Sequence, residues 1–477
     1  MVKGRAVGLL VLGFVSALGY RASAAPSAAS SPAGPHPATA LDGAWVGTLH
    51  FGAVNLRLVL KIKRAGMGWT ATVDSPDQHA SDIPVDTVTV DGDKLTLALP
   101  KINGSYEGRL DGDRLVGTFK QNGVVLPLEL EKTANPPVAS ARPQEPKRPL
   151  PYDEIDVSVE NRAGGITLAC TLTEPRGKGP FAAVVLATGS GPQNRDEALM
   201  GHRPFLVLSD AITRRGIAVL RCDDRGVGKS TGTFAKATTL DFADDALAEV
   251  ATLRARPEIS SGHVGLAGHS EGATVAAIGA ARSKDVAFAV LLAGPALPGD
   301  QILDLQRALM EKTGGMSASE ISDSKESWDK AFAILKGEKD EATATKKLRA
   351  LYDKLPAATH AQFEQAGGFE AKVKEVLTPW FRTFVALDPR TYLSQLKVPV
   401  LALNGARDWQ VPPSANLPEV KRALAHDRDV TVQAMPGLNH LFQTAKTGSP
   451  AEYGEIEETM SPAVLTLVSD WIARHAK

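Results

Sequence analysis

The pattern of apolar and polar positions divides the chain into two parts of different character. From residue 41 to about residue 133, short segments such as 55–62 and 94–97 alternate apolar with polar residues and are joined by glycine-containing turns. Alternation with a period of two is typical of strands that bury one face in an antiparallel sheet. We therefore predict a small antiparallel all-β domain over residues 41–133, folded as a barrel or a sandwich.

From residue 152 onward, continuous apolar runs take over. The strands predicted from these runs lie at about 155–160, 166–173, 182–187, 217–221, 264–268, 286–293, 398–404 and 429–435. From the third run onward they alternate with stretches of helical periodicity, and buried parallel strands have continuous apolar runs. This alternation predicts an α/β domain over residues 152–477, with helices packed on a mostly parallel sheet.

The alternation stops between about residues 296 and 396. That segment has helical periodicity, many charged residues and two glycine pairs, which predicts a helical insertion after the sixth strand. Its larger apolar residues include Ile302, Leu303, Leu309, Met310, Trp328, Phe332, Trp380, Phe381 and Phe384. Most of these are expected to close the core of the insertion itself, although some of them could line a pocket for an acyl chain.

The segments outside the two predicted domains have the composition of a leader and of linkers. Residues 1–24 contain a basic start, a short apolar run and a final Ala-Ser-Ala, which is typical of a cleavable signal peptide. The apolar run is too short to cross a bilayer as a helix. Residues 25–40 and 134–151 are rich in proline and other linker residues and are predicted to be linkers. The leader predicts export, to the periplasm or the exterior.

Composition and charge exclude some classes of function. The chain has 477 residues and a net charge of −1, so two or three domains and no nucleic-acid or membrane-surface partner are expected. Its only two cysteines, Cys170 and Cys222, lie in or just after predicted strands. Export permits a disulfide, but strand cysteines are commonly small buried apolar residues. We therefore expect both to be free and buried.

The chemistry is indicated first by residues 268–272, with the sequence Gly-His-Ser-Glu-Gly. This G-x-S-x-G motif follows an apolar strand and precedes an alanine-rich helix, which is the context of a nucleophile elbow. The two glycines leave room for backbones that a Cβ would obstruct. Ser270 is therefore the predicted nucleophile.

A serine nucleophile needs a base and an acid, which follow it in this chain order. Asp408 lies just beyond the carboxyl end of the strand at 398–404, where open α/β sheets place functional groups. His440 lies in a loop after the last predicted strand and before a C-terminal helix. We predict Asp408 as the acid and His440 as the base. The simpler interpretations are a turn-forming aspartate and a packed histidine.

A hole for the oxyanion is predicted from a second loop. The apolar strand at 182–187 runs into Thr188-Gly189-Ser190-Gly191, whose small residues let the backbone approach a substrate carbonyl. The backbone amides of Ser190 and Glu271 are the predicted donors. An ordinary turn is the alternative interpretation of this loop.

Two other glycine motifs do not indicate nucleotide binding. Gly228-Lys229-Ser230 resembles the end of a P-loop, but Asp223 occupies the position where that motif needs its first glycine. Gly189-Ser190-Gly191 lacks the third glycine of a dinucleotide fingerprint. The sequence contains no H-E-x-x-H motif and no His/Cys cluster, so neither a cofactor nor a metal is expected.

Five segments together carry a family resemblance. They are Thr188–Glu197, Asp223–Ser230, Gly268–Gly272, Leu403–Pro413 and Pro436–His440, and they are spread over nearly all of the α/β domain. They resemble the secreted or periplasmic α/β-hydrolases related to the dienelactone-hydrolase and prolyl-oligopeptidase superfamilies.

The resemblance implies hydrolysis of carboxylic esters, with Ser270, Asp408 and His440 as the catalytic triad. It also implies that the helical insertion is a cap over the active site. We predict a serine esterase for small-molecule esters of short to medium acyl chains, acting through an acyl-enzyme. A peptidase or thioesterase of the same fold, and a non-catalytic ligand-binding protein, are the alternatives. The sequence predicts neither the natural substrate nor the oligomeric state.

Overall fold

The computed structural model describes residues 41–51, 54–78, 80–365 and 367–476. The predicted signal peptide (1–24) and first linker (25–40) lie outside the described residues. The chain divides into two compact units. The first contains the residues up to Ala141 together with Met310–Ser324 and Leu348–Val373, and the second contains the rest of the chain.

An antiparallel sheet forms most of the first unit. In the described part of this unit its strands are β1 (Gly43–Phe51), β2 (Val54–Ala65), β3 (Gly68–Ser75), β4 (Ala80–Val85), β5 (Thr87–Asp91), β6 (Lys94–Leu99), β7 (Gly104–Asp111), β8 (Arg114–Gln121) and β9 (Val124–Thr133). They follow the order β4-β3-β2-β1-β9-β8-β7-β6-β5, and the sheet curls so that β3 approaches β5. Alternate residues of β6, Leu95, Leu97 and Leu99, are buried, whereas Lys94, Thr96 and Ala98 between them are more exposed. The predicted antiparallel all-β fold is confirmed.

A second sheet organises the other unit. Its strands are β10 (Tyr152–Asn161), β11 (Ile166–Pro175), β12 (Phe181–Ala187), β13 (Ala218–Cys222), β14 (Ile259–His269), β15 (Ala289–Leu292), β16 (Val400–Gly405) and β17 (Val430–Met435). The order is β10-β11-β13-β12-β14-β15-β16-β17, in which β11 is antiparallel to both of its neighbours and the other neighbouring pairs are parallel. The alternation of apolar runs and helices predicted such an α/β domain, and the arrangement is the α/β-hydrolase fold that the elbow motif and the family resemblance implied.

Helices cover both faces of this sheet and form the insertion. The helices are α1 (Pro204–Thr213), α2 (Thr239–Arg254), α3 (Glu271–Arg282), α4 (Gly299–Thr313), α5 (Ala318–Gly337), α6 (Glu341–Tyr352), α7 (Ala357–Gln365), α8 (Gly368–Val376), α9 (Pro379–Ala386), α10 (Arg390–Leu393), α11 (Pro413–Ala423) and α12 (Pro462–His475). α2, α3, α10 and α11 pack on one face of the sheet, and α1 and α12 pack on the other. Helices α4–α10 lie between β15 and β16, which confirms the predicted helical insertion. Among the described helices, none has both the length and the apolarity needed to cross a bilayer.

The expectation that the two cysteines are free is wrong. Cys170 and Cys222 form a disulfide, and they lie directly opposite each other on the neighbouring antiparallel strands β11 and β13. Their Cα atoms are 4.0 Å apart. The sequence did not predict this pairing because the two residues are 52 positions apart and the register of the two strands is set by the whole sheet. Both cysteines are buried, as predicted.

The end of the predicted linker 134–151 is fixed to the second unit. The Arg142 guanidinium donates hydrogen bonds to the carbonyl oxygens of Met200, Gly454 and Ile456. The Gln144 side chain donates to the Met460 carbonyl and accepts from the same residue's backbone N–H. This segment is therefore part of the folded unit from Arg142 onward.

Candidate active site

The strand-to-helix turn at Ser270 has the geometry of a nucleophile elbow. Strand β14 ends at His269, helix α3 begins at Glu271, and Ser270 between them has φ 54° and ψ −121°. A residue other than glycine rarely adopts a positive φ, so the backbone is strained at Ser270. A Cβ on Gly268 would lie 1.9 Å from the Gly272 carbonyl oxygen, and one on Gly272 would lie 2.1 Å from the Ala187 carbonyl oxygen. Both positions therefore require glycine.

Ser270 is held at the carboxyl end of the parallel sheet. Its backbone N–H donates to the Leu292 carbonyl oxygen at 2.8 Å, so the turn is fixed to β15. His269 and Glu271 on either side are buried, whereas Ser270 is partly accessible. The first-turn N–H groups of α3 have no partner within the helix and favour negative charge beside Ser270.

Asp408 and His440 form a buried pair. The Asp408 Oδ2 atom lies 2.8 Å from His440 Nδ1, and both side chains are almost fully excluded from solvent. The other oxygen, Oδ1, accepts backbone N–H groups of Gln410 and Val411, each at 2.8 Å. Because an ionised aspartate only accepts hydrogen bonds, Nδ1 of His440 carries a proton, and a neutral ring in this contact has its lone pair on Nε2. The structure therefore brings the predicted acid and base together in the tautomer that a general base needs.

The loop after β12 lies against the elbow. A Cβ on Gly189 would lie 3.4 Å from Ser270 Cβ. The Asp224 carboxyl fixes both ends of the loop, because Oδ1 accepts the Thr188 hydroxyl at 2.6 Å and Oδ2 accepts the Gln193 N–H at 2.8 Å. This arrangement places the predicted oxyanion residue Ser190 in the segment facing the nucleophile. The roles of the Ser190 and Glu271 amides stay predictions.

The Glu271 side chain has contacts that sequence reasoning missed. Its buried carboxylate accepts hydrogen bonds from the Thr239 hydroxyl at 2.6 Å and from the Trp380 indole N–H at 3.0 Å. Burial raises the pKa of Glu271, although hydrogen bonds from Thr239, Trp380 and Ser190 oppose the rise. Glu271, the residue after Ser270, thus connects the loop after β12, the start of α2 and the inserted helix α9.

An aromatic group surrounds the Trp380 indole. The Trp380 ring lies 5.8 Å from the Phe384 ring and 6.4 Å from the Phe234 ring, and Phe234 stacks on Phe242 at 5.2 Å. Trp328 packs instead on Phe332 within α5. Of the aromatic residues considered for an acyl pocket, Trp380 is the one joined by a hydrogen bond to the elbow.

Sequence reasoning also missed the interactions of His269, the residue before Ser270. His269 Nδ1 lies 3.0 Å from Glu197 Oε1, and His269 Nε2 lies 3.0 Å from the backbone carbonyl oxygen of His440. All three residues are buried. Both His269 and Glu197 belong to segments that carry the family resemblance, which is the one signal the sequence offered.

A small cavity lies beside the loop after β12, and four acidic residues, Asp223, Asp224, Asp245 and Glu249, are among those that line it. It has a volume of about 40 Å³ and is lined in part by Gly189, Asp224 and Glu249. Burial raises the pKa of Asp224 to about 8, and it also raises the pKa of Glu249 well above its usual value. Within the described part of the chain, no three histidine, cysteine or acidic side chains are grouped so as to hold a metal ion.

Comparison with known proteins places the chain in a family. A family model described as X-Pro dipeptidyl-peptidase (S15 family) matches residues 164–425, more than half of the chain. The chain belongs to the S15 family. The matched range includes Ser270 and Asp408 and ends before His440.

A curated relative of this chain is named an esterase. Esterase EstD of Thermotoga maritima is 28% identical over 306 residues, which cover 64% of this chain. The match spans 64% of that relative's length, slightly less than two thirds.

Solved structures similar to this chain include esterase Pf2001 of Pyrococcus furiosus, with 18% identity, 68% of this chain and 91% of that chain covered, and a TM-score of 0.41. They also include the hypothetical protein PA2218 of Pseudomonas aeruginosa, with 16% identity, coverage of 72% and 100%, and a TM-score of 0.42.

Proposed function

We propose that this S15-family protein is a serine hydrolase that cleaves carboxylic esters of small molecules through an acyl-enzyme. The observation that carries the proposal is the Asp408–His440 pair, in the tautomer of a general base, in a fold that presents Ser270 on a strained elbow. A non-catalytic binding protein would gain nothing from this costly arrangement.

The proposed reaction has two halves. In the first, His440 Nε2 removes the Ser270 proton as Oγ attacks the ester carbonyl, and the protonated ring then gives that proton to the departing alcohol. In the second, His440 activates a water molecule that cleaves the acyl-serine ester and regenerates the hydroxyl. Asp408 stabilises the imidazolium in both halves, and the amides of Ser190 and Glu271 are the proposed oxyanion donors.

The name of the relative EstD, an esterase, supports ester cleavage for this chain. The family description instead favours a second candidate, a peptidase that removes X-Pro dipeptides. Parallel assays of p-nitrophenyl esters of graded acyl length and of an X-Pro p-nitroanilide separate the two. A turnover of the anilide that exceeds that of every ester would replace the first proposal by the second.

The nucleophile is tested by Ser270→Ala. We expect turnover of p-nitrophenyl acetate to fall by at least about 10³-fold, because no hydroxyl remains to form the acyl-enzyme, while the thermal midpoint stays within a few degrees. The control is Ser394→Ala, which changes an exposed serine and should leave turnover unchanged. A fluorophosphonate probe should label the native chain and not the Ser270 variant. An active Ser270→Ala enzyme, or a native chain that the probe leaves unlabelled, would contradict the proposal.

Export is a further part of the proposal, supported by the composition of residues 1–24. Expression of the full chain in a bacterium with two membranes should yield a periplasmic protein whose N-terminus is Ala25. An intact N-terminus on cytoplasmic protein would reject it.

A further inference from the structure

His269 contacts an acceptor with each ring nitrogen. Its Nε2 atom lies 3.0 Å from the carbonyl oxygen of His440, and its Nδ1 atom lies 3.0 Å from Glu197 Oε1. A backbone carbonyl oxygen can only accept a hydrogen bond, so Nε2 must carry a proton. The charge of the ring therefore depends on whether Nδ1 also carries one.

The surroundings of Glu197 favour a carboxylate facing a cation. The same Oε1 atom that faces His269 also accepts the Gly189 backbone N–H at 2.7 Å, as expected of an ionised oxygen that receives two donors. Glu197 and His269 are both buried, and a buried charge is stable only beside a partner of opposite sign. A neutral pair would need a hydroxyl on the oxygen that already accepts from Gly189.

The charges and hydrogen-bond acceptors around His269 also favour the protonated ring. Burial lowers the pKa of His269, but the Glu197 carboxylate, the His440 carbonyl oxygen and the Asp408 carboxylate together raise it above its usual value. The His440 ring is the other titratable group in contact, with its centroid 4.8 Å away.

We infer that His269 is a permanent imidazolium, paired with Glu197, and that this pair is a positioning device for catalysis. The inference rests on the proposed function. His269 directly precedes the nucleophile, its Nε2–H holds the backbone of the base, and its counter-ion holds the oxyanion loop through Gly189. One buried ion pair thereby connects the elbow at Ser270, the loop that carries His440 and the loop after β12, and the relative placement of these three segments determines the rate of attack.

The protonation state has a direct spectroscopic test. In the full native chain labelled with ¹⁵N-histidine, with signals assigned by comparison with His269→Gln, both ring nitrogens of His269 should remain protonated at about pH 7–8. In Glu197→Gln the second proton should be lost in that range, because the counter-charge is gone while burial remains. A bare nitrogen at His269 in the native chain would overturn the inference, and this measurement needs no variant that folds.

The positioning role has a kinetic test. Glu197→Gln and His269→Gln should each lower kcat for p-nitrophenyl acetate by about 10- to 100-fold with little change in KM, because both groups are buried and contact the loops rather than the surface open to a substrate. His269→Gln should also move the acidic limb of the kcat/KM profile to higher pH, because a positive charge beside the base is removed. The control is His263→Gln in the same strand, whose ring bonds to Ser260 and which should leave kcat unchanged.

The outcomes separate this inference from the proposed function. An enzyme that hydrolyses esters equally well with and without His269 overturns the positioning role and leaves the proposed function intact. A native chain that cleaves no ester and resists the fluorophosphonate overturns the proposed function, and the NMR measurement still decides the charge of His269. A fall in kcat without movement of the acidic limb would overturn the assignment of a cation.

Discussion

At the scale of single residues, Asp224 and Asp223 are adjacent carboxyls in opposite electrostatic situations. Burial raises the pKa of Asp224 to about 8 despite hydrogen bonds from Thr188 and Gln193. Burial also acts on Asp223, but hydrogen bonds and charge from Arg195 outweigh it and lower the pKa of Asp223. The first carboxyl therefore contributes stability that is present below its unfolded pKa and lost as the pH rises through about 8, and the second contributes stability that is lost as the pH falls.

The substitution Asp224→Asn should therefore stabilise the protein at alkaline pH. An asparagine can accept the Gln193 N–H through its amide oxygen, and its NH₂ group can donate to the Thr188 hydroxyl oxygen once that hydroxyl rotates, without carrying a buried charge. We expect the gain in the free energy of unfolding to be larger near pH 9 than near pH 5 by at least about 1.4 kcal/mol, the equivalent of one pKa unit, because the cost of the buried carboxylate grows with pH up to the folded-state pKa of about 8. Urea unfolding at both pH values measures it.

The neighbouring substitution Asp223→Asn is the matched control and should lower stability near pH 9, because it breaks the ion pair with Arg195. Equal effects of the two substitutions would show that the charge state of Asp224 is not what the structure implies.

Single residues also show what the sequence could and could not predict. Ser270, Asp408 and His440 could be selected because each follows a recognisable apolar strand, and the structure pairs Asp408 with His440. His269 lies inside the motif, but its partners Glu197 and His440 are 72 and 171 positions away. The Glu271 carboxylate similarly depends on Trp380, 109 positions away. Such partners follow from the packing of loops, which leaves no local pattern.

At the scale of elements, the junction of β12, β14 and α3 determines the geometry of the elbow. Helix α3 starts so close to the end of β12 that a Cβ on Gly272 would lie 2.1 Å from the Ala187 carbonyl oxygen and 2.5 Å from that of Thr188. The elements are thus in contact through backbone atoms at this point, and no side-chain movement can make room.

The substitution Gly272→Ala tests this contact. The added Cβ would lie 2.1 Å from a backbone oxygen, so we expect a loss of about 3 kcal/mol in the free energy of unfolding together with loss of ester hydrolysis. The matched control is Gly262→Ala in β14, where a Cβ would meet nothing within 4 Å. Thermal unfolding and p-nitrophenyl acetate turnover are the measurements. A Gly272 variant as stable and active as the control would contradict this geometry.

The predicted strands were located well where apolar residues were continuous, and less well where they were not. Strand β14 was expected at residues 264–268 but begins at Ile259, since Ile259 pairs with Phe181 across a polar stretch. Strand β15 was expected at 286–293, yet the regular strand extends only over Ala289–Leu292. Val286 and Phe288 are buried without being part of the strand, and burial alone does not reveal strand pairing.

At the scale of the whole molecule, the disulfide and the grouping of the insertion are features that only long-range contacts produce. The insertion was predicted as part of the α/β domain, and its segments Met310–Ser324 and Leu348–Val373 group with the nine described strands of the first unit. The helical periodicity of the insertion could be recognised in the sequence, but the compact unit that each helix joins depends on tertiary packing.

The disulfide between Cys170 and Cys222 should contribute substantially to stability. It closes a loop of 52 residues, for which the chain-entropy model gives roughly 4 kcal/mol. The double variant Cys170→Ala/Cys222→Ala should lose about that much in denaturant unfolding, and its midpoint should no longer respond to a reducing agent. A native protein whose midpoint is the same with and without reductant would show that the bond is absent or without effect.

The hydrogen bonds of Arg142 and Gln144 have a practical consequence for the boundaries of the enzyme. A shortened chain that starts at Tyr152, the first residue of β10, would leave the carbonyl oxygens of Met200, Gly454, Ile456 and Met460 without these donors. The second unit therefore starts upstream of its sheet, within the proline-rich stretch, and proteolytic trimming beyond Arg142 would remove hydrogen bonds that belong to this unit.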